Sequence, residues 1–455
     1  MRKILVIGAG KSTGVLIKYF QNKSKSENLH ITIGDISIES AKKLEAGHAN
    51  TTAIALDIFN QELREKTILD ADIVVSMLPA RFHIEVAKDC LRYGKCMVTA
   101  SYVSPEMQEL DKEAREKGLV FMNEIGVDPG IDHMSAMQVI DRIRNQGGKL
   151  ILFESFTGGL IAPENDTNLW NYKFTWNPRN VVVAGQGGAA EFLQEGAYKY
   201  IPYHKLFRRT EFLEVENYGR FEAYANRNSL KYQEIYGLDD ILTLYRGTMR
   251  RVGFSKAWNT FVQLGMTADD YKIVNSEKMS YRDFTNSFLA YSPTDSVELK
   301  LRHYLKIDQD DIMWDKLQEL DLFNPDKKVG IPNATPAQIL QKILMDSWTL
   351  DKDDKDMIVM YHKFGYEING ERKQIDATMV SIGEDQTYTA MARTVGLPVA
   401  MATIRILNRQ ITQPGVQIPI REEVYTPILK ELEEYGIVFN EKECEYLGYN
   451  PNGVK

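Results

Sequence analysis

The first 122 residues alternate short apolar segments with stretches of helical periodicity, and this alternation limits the possible folds more than any other feature of the chain. The apolar segments, which we predict to be strands, are residues 4–7, 30–33, 53–57, 72–76, 96–99 and 119–122. Helical patterns lie between them, at residues 14–20, 37–46, 78–92 and 105–117. Short buried strands joined by helices are typical of a parallel sheet covered on both faces. The sequence therefore predicts an α/β protein with a Rossmann-like, doubly wound parallel sheet.

The composition and pattern of the sequence change near Leu150, where aromatic residues and glycine become frequent and the predicted strands become longer. Residues 270–355 are charged and helical in pattern, with no strand signal in the sequence. Strand patterns return at residues 357–381, where the pair Asn369-Gly370 favours a tight hairpin turn. These changes predict a mixed α+β domain that is interrupted by a helical insertion.

Composition narrows the classes of function. The chain has 455 residues, a hydrophobic share of 44% and a formal net charge of −8, which fits a folded globular protein rather than a disordered one. The acidic balance argues against nucleic acid as a partner, because phosphate binding requires a basic surface. No apolar run in the sequence approaches the ~20 residues that span a bilayer, so we expect no membrane partner.

The cysteines and the N-terminal residues indicate the compartment. Cys90, Cys96 and Cys444 are odd in number and lack the spacing of a metal site. Thiols of this kind are typical of a reducing environment. The apolar run at residues 4–7 follows two basic residues as in a signal peptide, but it is too short and ends in a glycine turn. We therefore expect a cytoplasmic protein without a bound metal.

A glycine-rich turn joins the first predicted strand to the first helix. It has the pattern GxGxxxG, and the residues expected to contact a cofactor there are Gly8, Gly10, Lys11, Ser12, Thr13 and Gly14. Glycine lets the backbone approach a pyrophosphate, and the helix N-terminus supplies N–H donors and a positive dipole end. The spacing is one residue longer than the common GxGxxG, so the motif alone is a weak match. The prediction of a dinucleotide site therefore rests on the order of strand, glycine turn and helix around it.

Asp35 stands at the end of the second predicted strand. A carboxylate at this place accepts hydrogen bonds from the hydroxyls of an adenosine ribose. The same charge would repel the 2′-phosphate of NADP. Asp35 and the neighbouring Ile36 therefore favour NAD as the cofactor, with NADP as the alternative.

Further cofactor contacts are expected where ligands of a doubly wound sheet bind, beyond the carboxyl ends of the strands. These residues stand at or after the ends of later predicted strands: Asp57, Ile58, Leu78, Pro79, Ala100, Val127, Asp128 and Pro129.

Residues 123–134, NEIGVDPGIDHM, follow the last strand of the alternating region. Here the chain closely resembles the saccharopine dehydrogenases of the glutamate-forming type, also called saccharopine reductases. The other blocks that carry the resemblance occur in family order along nearly the whole chain, at residues 101–105, 158–160, 162–164, 172–176, 226–229, 246–250, 363–365 and 394–400.

The resemblance implies an NAD(P)-dependent oxidoreductase of lysine metabolism. Such an enzyme oxidises saccharopine at a secondary-amine carbon, and hydrolysis of the imine gives glutamate and 2-aminoadipate semialdehyde; the reverse reaction reduces the imine. The cofactor supplies the hydride chemistry, and the protein positions the reacting atoms. The family's NADP-dependent members carry a small residue and then an arginine where this chain has Asp35 and Ile36. The missing arginine again favours NAD.

Four residues near the ends of the predicted strands are candidates for catalysis or substrate binding. Ser101 and Tyr102 are expected to contact the substrate, and Tyr102 is also a catalytic candidate. Asp128 is expected to orient the substrate amine or a hydrolytic water. His133 is a candidate acid or base, because its unperturbed pKa is near ~6.5. It also opens an apolar helix, so a structural role is the alternative.

Saccharopine carries three carboxylates, so its site needs fixed cations. The resemblance points to Arg227 as the first carboxylate clamp, since a guanidinium holds a carboxylate with two hydrogen bonds, and to Arg250 as a second. A surface or interface role is the alternative for both. Backbone N–H groups near Gly247 and Thr248 are expected to bind another carboxylate, with Met249 beside them.

Two further positions follow from the resemblance. Trp176, at the end of the block 172–176, is expected to contact the cofactor. Asn228 stands where the family has an aspartate. This change either alters the preference for substrate charge or affects only local hydrogen bonds.

The expected domains follow from the pattern and the resemblance together. They are a dinucleotide-binding Rossmann domain of residues 1–130 and about 387–455, a substrate-binding and dimerisation domain of residues 131–269 and about 356–386, and a helical insertion of residues 270–355. Aromatic, apolar strands in the substrate domain suggest a homodimer. Two other functions stay open: a dehydrogenase of another imine adduct, such as carboxynorspermidine, and an NAD(H)-binding sensor without turnover.

Overall fold

The computed structural model describes residues 1–448. Contacts divide the described residues into a first unit of residues 1–148 and 379–440 and a second unit of residues 149–378 and 441–448. The strands, in chain order, are β1 (Arg2–Ile7), β2 (Leu29–Asp35), β3 (Thr51–Ala55), β4 (Ile73–Ser76), β5 (Cys96–Val98), β6 (Val120–Met122), β7 (Lys149–Ile161), β8 (Ala190–Gln194), β9 (Ala197–Ile201), β10 (Thr210–Val215), β11 (Gly219–Ala225), β12 (Thr243–Arg251), β13 (Asp356–Ile368), β14 (Glu371–Ile382), β15 (Gly415–Gln417) and β16 (Asn440–Glu445).

The α-helices, in chain order, are α1 (Thr13–Lys23), α2 (Ile38–Glu45), α3 (Gln61–Asp70), α4 (His83–Tyr93), α5 (Pro105–Glu109), α6 (Asp111–Glu116), α7 (Ile131–Asn145), α8 (Pro178–Val182), α9 (Tyr203–Leu206), α10 (Lys231–Ile235), α11 (Phe254–Leu264), α12 (Tyr281–Asn286), α13 (Val297–Leu305), α14 (Ile312–Glu319), α15 (Pro336–Trp348), α16 (Ala390–Leu407) and α17 (Glu422–Glu433).

Seven strands of the first unit form one sheet in the order β15-β6-β5-β4-β1-β2-β3. Every neighbouring pair in this sheet is parallel. The chain moves outward from β1 in both directions, so the sheet is doubly wound and the strand order reverses beside β1. Leu5 and Val6 point to opposite faces of the sheet and are both buried, so both faces are covered. The predicted Rossmann-like fold is confirmed.

Helix α16 is the long apolar helix of the first unit, and it packs closely on α1. A Cβ added to Gly396 would lie 3.0 Å from the backbone N of Leu16 and 3.2 Å from the carbonyl O of Ser12. Glycine therefore allows the two helices to approach. By length and composition α16 would be able to cross a membrane, but 72% of it is buried inside the protein, as in a core helix.

The sheet of the second unit is mixed. Its main path has the order β10-β11-β12-β7-β13-β14-β16, and the hairpin β8-β9 joins it at β12. Strand β7 is parallel to β12 and antiparallel to β13. The predicted turn joins β13 and β14, and its residues Asn369 and Gly370 have φ of 53° and 79°, as a tight hairpin of this type requires. The predicted mixed α+β architecture is confirmed.

The core of the second unit contains a cluster of large aromatic rings. Trp348 lies 5.2 Å from Trp170 and 6.2 Å from Trp258, measured between ring centroids. Trp348 ends α15, which belongs to the segment predicted to be a helical insertion. All residues between β12 and β13 are described, and they contain helices and loops but no named strand. The helical character of this segment is therefore as predicted, and its last helix contributes to the core.

The two units differ from the expected domains at four places. The first unit resumes at residue 379 rather than at about 387, and residues 270–355 belong to the second unit. The sequence assigns α7 to the substrate domain, but it belongs to the first unit because it packs on α17, where the hydroxyl of Tyr425 donates to Oδ2 of Asp141 at 2.8 Å. The sequence also returns the C-terminal residues to the Rossmann domain. Instead β16 joins the sheet of the second unit, and the ring of Tyr446 lies over Gly365, where an added Cβ would come within 2.5 Å of it. Residues 449–455 lie outside the described residues.

Candidate active site

The glycine turn after β1 is held in close contact with the end of β4. Gly8 has a φ of +108°, and its N–H donates to the carbonyl O of Gly34 at 2.8 Å. A Cβ on Gly8 would lie 2.7 Å from the carbonyl O of Met77. A larger residue would therefore displace the turn, which is why glycine is required here.

The N-terminus of α1 has the properties of an anion site. The hydroxyl of Ser12, at the N-cap position, makes no capping hydrogen bond to the described helix. Thr13 turns its hydroxyl inward and donates to the carbonyl O of Gly8 at 3.1 Å. An added Cβ on Gly10 would meet no atom of the described chain within 4 Å. The N–H of Thr13 donates to the carbonyl O of Gly10 at 3.0 Å. The positive dipole end of α1 and the open space at Gly10 would receive a pyrophosphate, and this open cradle fits a dinucleotide.

The remaining residues of the turn have different surroundings. Lys11 is exposed to solvent, so its ammonium is free to reach a phosphate. Gly14 is buried inside α1, and an added Cβ would lie 3.5 Å from the carbonyl O of Thr387. Gly14 therefore serves the packing of α1, whereas Lys11 faces the open side of the turn.

Asp35 connects the end of β2 to the glycine turn. Its Oδ2 accepts a hydrogen bond from the N–H of Ala9 at 2.7 Å, and its Oδ1 accepts one from the N–H of Ser37 at 2.8 Å. The two bonds hold the carboxylate at the carboxyl edge of the sheet, and each oxygen keeps a lone pair for another donor. The adjacent Ile36 is 76% exposed. An apolar side chain therefore stands beside the carboxylate, where a 2′-phosphate would need a cation.

The ends of β3 and β4 continue the same edge of the sheet. Oδ1 of Asp57 accepts a hydrogen bond from the N–H of Phe59 at 2.9 Å, which turns the chain after β3. Ile58 points inward from this turn and is buried. Leu78 and Pro79 follow β4; Leu78 is half-buried and Pro79 is exposed. These four expected cofactor contacts thus lie at the carboxyl edge, as the fold predicts.

An aromatic pair that the sequence did not predict lies at this edge. Phe59 is 70% exposed, and its ring meets that of Phe82 edge-on with 5.4 Å between centroids. The guanidinium carbon of Arg81 lies 4.5 Å from the centroid of the Phe82 ring. An exposed aromatic surface beside a dinucleotide cradle suits the stacking of a base. The signal in the sequence was Phe59 itself, an apolar residue directly after the expected contact Ile58.

The loop between β6 and α7 is built around two glycines. The N–H of Gly126 donates to the carbonyl O of Pro129 at 2.8 Å. Gly130 has a φ of +148°, and an added Cβ would lie 2.1 Å from the carbonyl O of Gly126. A Cβ on Gly126 would in turn approach the side chain of Ala100 to 3.0 Å. The two glycines therefore close the loop and pack it against Ala100, two residues after the end of β5.

This loop brings Asp128 to Tyr102. The hydroxyl of Tyr102 donates to Oδ1 of Asp128 at 3.1 Å, although the residues are 26 positions apart. Both side chains are half-buried, whereas Val127 is buried. A carboxylate held by a phenol is able to orient an amine or a water and to accept a proton from it. The structure thus places together two of the residues that the sequence predicts for catalysis.

His133 has a different environment. It is fully buried, and its Nε2 lies 2.9 Å from Oε2 of Glu124. Glu124 is itself buried, and its Oε1 accepts a hydrogen bond from the N–H of Val103 at 3.0 Å. This arrangement joins the start of α7 to the loops after β5 and β6. The structure therefore speaks against His133 as an acid or base and favours the structural alternative.

A second histidine, which the sequence did not predict as a site residue, contacts Ser101. Nε2 of His83 lies 2.7 Å from Oγ of Ser101, and its Nδ1 lies 2.8 Å from Oγ of Ser76. Burial lowers the pKa of the His83 imidazole from 6.5 to about 4, so the ring is neutral at neutral pH. His83 is seven residues from Ser76 and 18 residues from Ser101 in the sequence. The three residues lie in different segments of the fold, so no periodic pattern connects them and the sequence gives no sign of these contacts.

Arg250 of the second unit is a buried arginine among aromatic rings. It is 4% exposed, and its guanidinium carbon lies 5.0 Å from the ring centroid of Tyr172 and 5.3 Å from that of Phe254. Nη1 donates to the carbonyl O of Met249 at 2.8 Å, while the buried Nε has no hydrogen-bond partner among the described residues. A buried donor left unpaired costs free energy, which a carboxylate ligand would recover.

Arg227 lies in the loop after β11, where it is exposed and has a φ of +50°. Asn228, which follows it, accepts a hydrogen bond from the N–H of Leu230 at 2.8 Å and donates through Nδ2 to Oε2 of Glu191 at 2.8 Å. An aspartate at this position would set a second carboxylate against Glu191. Local hydrogen bonding therefore accounts for Asn228 without a role in substrate charge.

Gly247, Thr248 and Met249 lie within β12. Gly247 stands opposite Ala225 of β11 and Phe156 of β7, so the strand is paired on both sides. An added Cβ on Gly247 would lie 2.7 Å from the ring of Phe156. This pairing speaks against backbone N–H groups here as a carboxylate site. The half-buried Thr248 side chain is the remaining polar group, and its contact with substrate stays a prediction.

The predicted contacts are divided between the units. Those for the cofactor, together with Ser101, Tyr102 and Asp128, belong to the first unit, whereas Arg227, Arg250 and residues 247–249 belong to the second. Trp176, an expected cofactor contact, is half-buried and also belongs to the second unit. Within residues 1–448, no group of three or more His, Cys, Asp or Glu side chains is arranged to hold a metal ion.

The fold and its carboxyl edge define a Rossmann-type dinucleotide-binding protein. Comparison with known protein families gives the closer relationship. Residues 4–122 match the saccharopine dehydrogenase NADP binding domain, and residues 126–437 match the saccharopine dehydrogenase C-terminal domain. The chain belongs to the saccharopine dehydrogenase family, which confirms the resemblance seen in its motifs.

Individual relatives cover nearly all of the chain. It is 33% identical over 448 residues to the mitochondrial alpha-aminoadipic semialdehyde synthase of Mus musculus, covering 96% of this chain and 47% of that protein. The chain thus spans about half the length of that relative. It is 32% identical to the NADP(+), L-glutamate-forming saccharopine dehydrogenase of Saccharomyces cerevisiae, covering 97% of this chain and 99% of that protein. The apo structure of the S. cerevisiae L-Glu-forming enzyme matches with a TM-score of 0.88 and 31% identity, covering 98% of this chain and 100% of that chain.

Proposed function

We propose that this protein catalyses the NAD(P)-dependent oxidation of saccharopine to glutamate and 2-aminoadipate semialdehyde, or the reverse imine reduction, in lysine metabolism. The observation that carries the proposal is the hydrogen bond between Tyr102 and Asp128 at the carboxyl edge of a dinucleotide-binding sheet. Similarity over the full length of a glutamate-forming relative supports the same reaction.

The residues of the chain have three tasks in this reaction. The uncapped start of α1 and the carboxylate of Asp35 bind the dinucleotide, which when bound accepts a hydride from the substrate carbon. Asp128, oriented by the Tyr102 hydroxyl, receives the proton of the secondary amine and then directs a water to the imine carbon. When the carbon–nitrogen bond breaks, the nitrogen leaves with glutamate and the carbon becomes the aldehyde. Arg250 holds a substrate carboxylate through its unpaired guanidinium N–H.

An assay of the purified protein tests this function. Saccharopine is supplied with NAD or NADP, and reduction of the nicotinamide is followed by absorbance. For Arg250→Met we expect the KM for saccharopine to rise about 10- to 100-fold, the worth of a lost hydrogen bond to a charged group, with unchanged affinity for NADH. The matched control is Arg251→Met at the next position, where the guanidinium donates to the carbonyl O of Tyr218. No turnover of saccharopine with either cofactor would refute the proposal.

We propose further that NAD is the preferred cofactor. The support is the pair of residues at the end of β2: a carboxylate fixed by two N–H groups, followed by an exposed isoleucine. The matched family domain and the yeast relative carry NADP in their names, so this chain would depart from them. A higher kcat/KM with NAD than with NADP supports the proposal, and the opposite ratio overturns it.

We also propose that the protein is a cytoplasmic homodimer, with small molecules as its ligands and without nucleic-acid or membrane partners. The acidic composition supports the lack of a nucleic-acid partner, and the three cysteines, which are free thiols in the structure, support a reducing compartment. The aromatic, apolar strands of the substrate domain support the dimer. Light scattering coupled to size-exclusion chromatography measures the mass in solution. A mass near the 52.0 kDa of one chain would contradict the dimer.

A further inference from the structure

Three hydrogen-bonded side chains link the core of the first unit to the carboxyl edge of its sheet. Ser76 ends β4, His83 begins α4, and Ser101 follows β5. The imidazole of His83 bridges the two serines, with 2.8 Å between Nδ1 and Oγ of Ser76 and 2.7 Å between Nε2 and Oγ of Ser101. Thr99 Oγ1 is more distant from Nε2, at 3.4 Å. The bridge therefore runs from the fully buried Ser76 to the half-buried Ser101.

The need to satisfy the buried hydroxyl sets the direction of these hydrogen bonds. Ser76 is 0% exposed, and among the described residues its hydroxyl has one hydrogen-bond partner, Nδ1 of His83. If Nδ1 carried the proton, the O–H of Ser76 would be buried without an acceptor, which is costly. Ser76 therefore donates to Nδ1. In a neutral imidazole the other nitrogen then carries the proton, so Nε2–H of His83 donates to Oγ of Ser101.

This direction leaves the proton of Ser101 for a ligand. The Oγ of Ser101 accepts from His83, so its own O–H must point elsewhere, and no described residue accepts it. Ser101 directly precedes Tyr102, which holds Asp128. We propose that His83 is a positioning residue that fixes Ser101 as a hydrogen-bond donor to an acceptor oxygen of the bound ligand. This inference rests on the proposed function for the identity of that ligand.

Two oxygens offer the same chemistry: a carboxylate of the substrate and the carboxamide of the nicotinamide. The two roles are distinguished by whether loss of the Ser101 donor changes the KM for saccharopine or the dissociation constant for NADH. A role at the substrate raises the KM for saccharopine and leaves the affinity for NADH unchanged. A role at the cofactor weakens NADH binding, which fluorescence titration measures without substrate.

Two variants of His83 separate its two hydrogen bonds. His83→Gln places an amide N–H₂ near the position of Nε2 and keeps the donor to Ser101, whereas His83→Asn keeps an acceptor for Ser76 and falls short of Ser101. We expect His83→Asn to raise the KM for saccharopine, or the dissociation constant for NADH, about tenfold, because one hydrogen bond is lost. We expect His83→Gln, which keeps that hydrogen bond, to raise the same constant by about threefold or less. Thermal unfolding of both variants measures any general loss of stability. Equal effects of Asn and Gln would overturn the proposal.

A double-mutant cycle shows whether His83 acts through Ser101. In a Ser101→Ala background, His83→Asn should cause no further change in the affected constant, because the hydroxyl that it positions is gone. A full additional effect in that background would show that His83 acts by another route and would refute the proposal.

The direction of the hydrogen bonds is also measurable without turnover. ¹⁵N NMR of protein labelled at histidine reports which ring nitrogen carries the proton, and the signal missing from His83→Gln identifies His83. A protonated Nε2 is the expected result. A protonated Nδ1 would overturn the inference even in an active enzyme. A third outcome separates the two proposals: the wild type does not turn over saccharopine, yet Nε2 is protonated and His83→Asn binds NADH more weakly. This outcome would refute the proposed substrate and keep the role of His83.

Discussion

Asp35 accepts two backbone N–H groups and keeps lone pairs for a ribose, while Ile36 offers no charge to a phosphate. The double variant Asp35→Ser with Ile36→Arg removes the repelling carboxylate and adds a guanidinium. We expect the ratio of kcat/KM for NAD over that for NADP to fall by about 100-fold or more, since a phosphate–arginine contact adds strong charged hydrogen bonds. Steady-state kinetics with both cofactors measures this ratio, and an unchanged ratio would show that these residues do not select the cofactor.

The titration of His83 predicts a dependence of stability on pH. Burial lowers the pKa of His83 to about 4 in the folded protein, against 6.5 for an unperturbed histidine. Between these values the unfolded chain binds a proton that the folded protein does not, so stability falls as the pH falls from ~6.5 to ~4. From about pH 7.5 to about pH 5 we expect a loss of about 2 kcal/mol.

Comparison with a variant isolates this contribution from other titrating groups. Urea unfolding of the wild type and of His83→Gln is measured at both pH values, and the difference between the two losses is attributed to His83. Equal losses in the two proteins would show that burial of this imidazole does not control acid stability.

At the scale of an element, the loop from Gly126 to Gly130 positions Asp128. Gly130→Ala would force a Cβ to within 2.1 Å of a carbonyl oxygen at a φ of +148°, so the loop must open and move the carboxylate. We expect turnover to fall by roughly 100-fold or more, because displacing a catalytic group by about 1 Å lowers the rate by about that factor. Loss of the Tyr102–Asp128 contact is the physical cause.

Gly118→Ala is the matched control for this loop. Gly118 also has a positive φ, +68°, but an added Cβ meets no described atom within 4 Å. We expect a loss of stability of about 1 kcal/mol from backbone strain and nearly unchanged turnover. Similar activity of Gly130→Ala and Gly118→Ala would contradict the role given to the loop.

At the scale of the whole molecule, the sequence predicted what local patterns determine. Alternating apolar strands and helices predicted the parallel sheet, and Asn369-Gly370 predicted the hairpin between β13 and β14. The unit to which α7 and β16 belong depends on contacts with distant residues, such as the bond between Asp141 and Tyr425. No periodicity in the chain encodes such contacts.

The candidate site shows the same division. The glycine turn and Asp35 carry local signals, and Tyr102 and Asp128 were found through family motifs. The link from Ser76 through His83 to Ser101 arises only when three segments fold together. The burial of His133, which argues against catalysis, is also a property of the folded unit.

The proposed reaction is tested most directly by identifying the amino acid that the purified protein releases from saccharopine in the presence of NAD. Mass spectrometry distinguishes the two carbon–nitrogen bonds, because cleavage on one side of the nitrogen gives glutamate and on the other side lysine. We predict glutamate together with 2-aminoadipate semialdehyde, in amounts equal to the NADH formed. Release of lysine with 2-oxoglutarate would contradict this prediction.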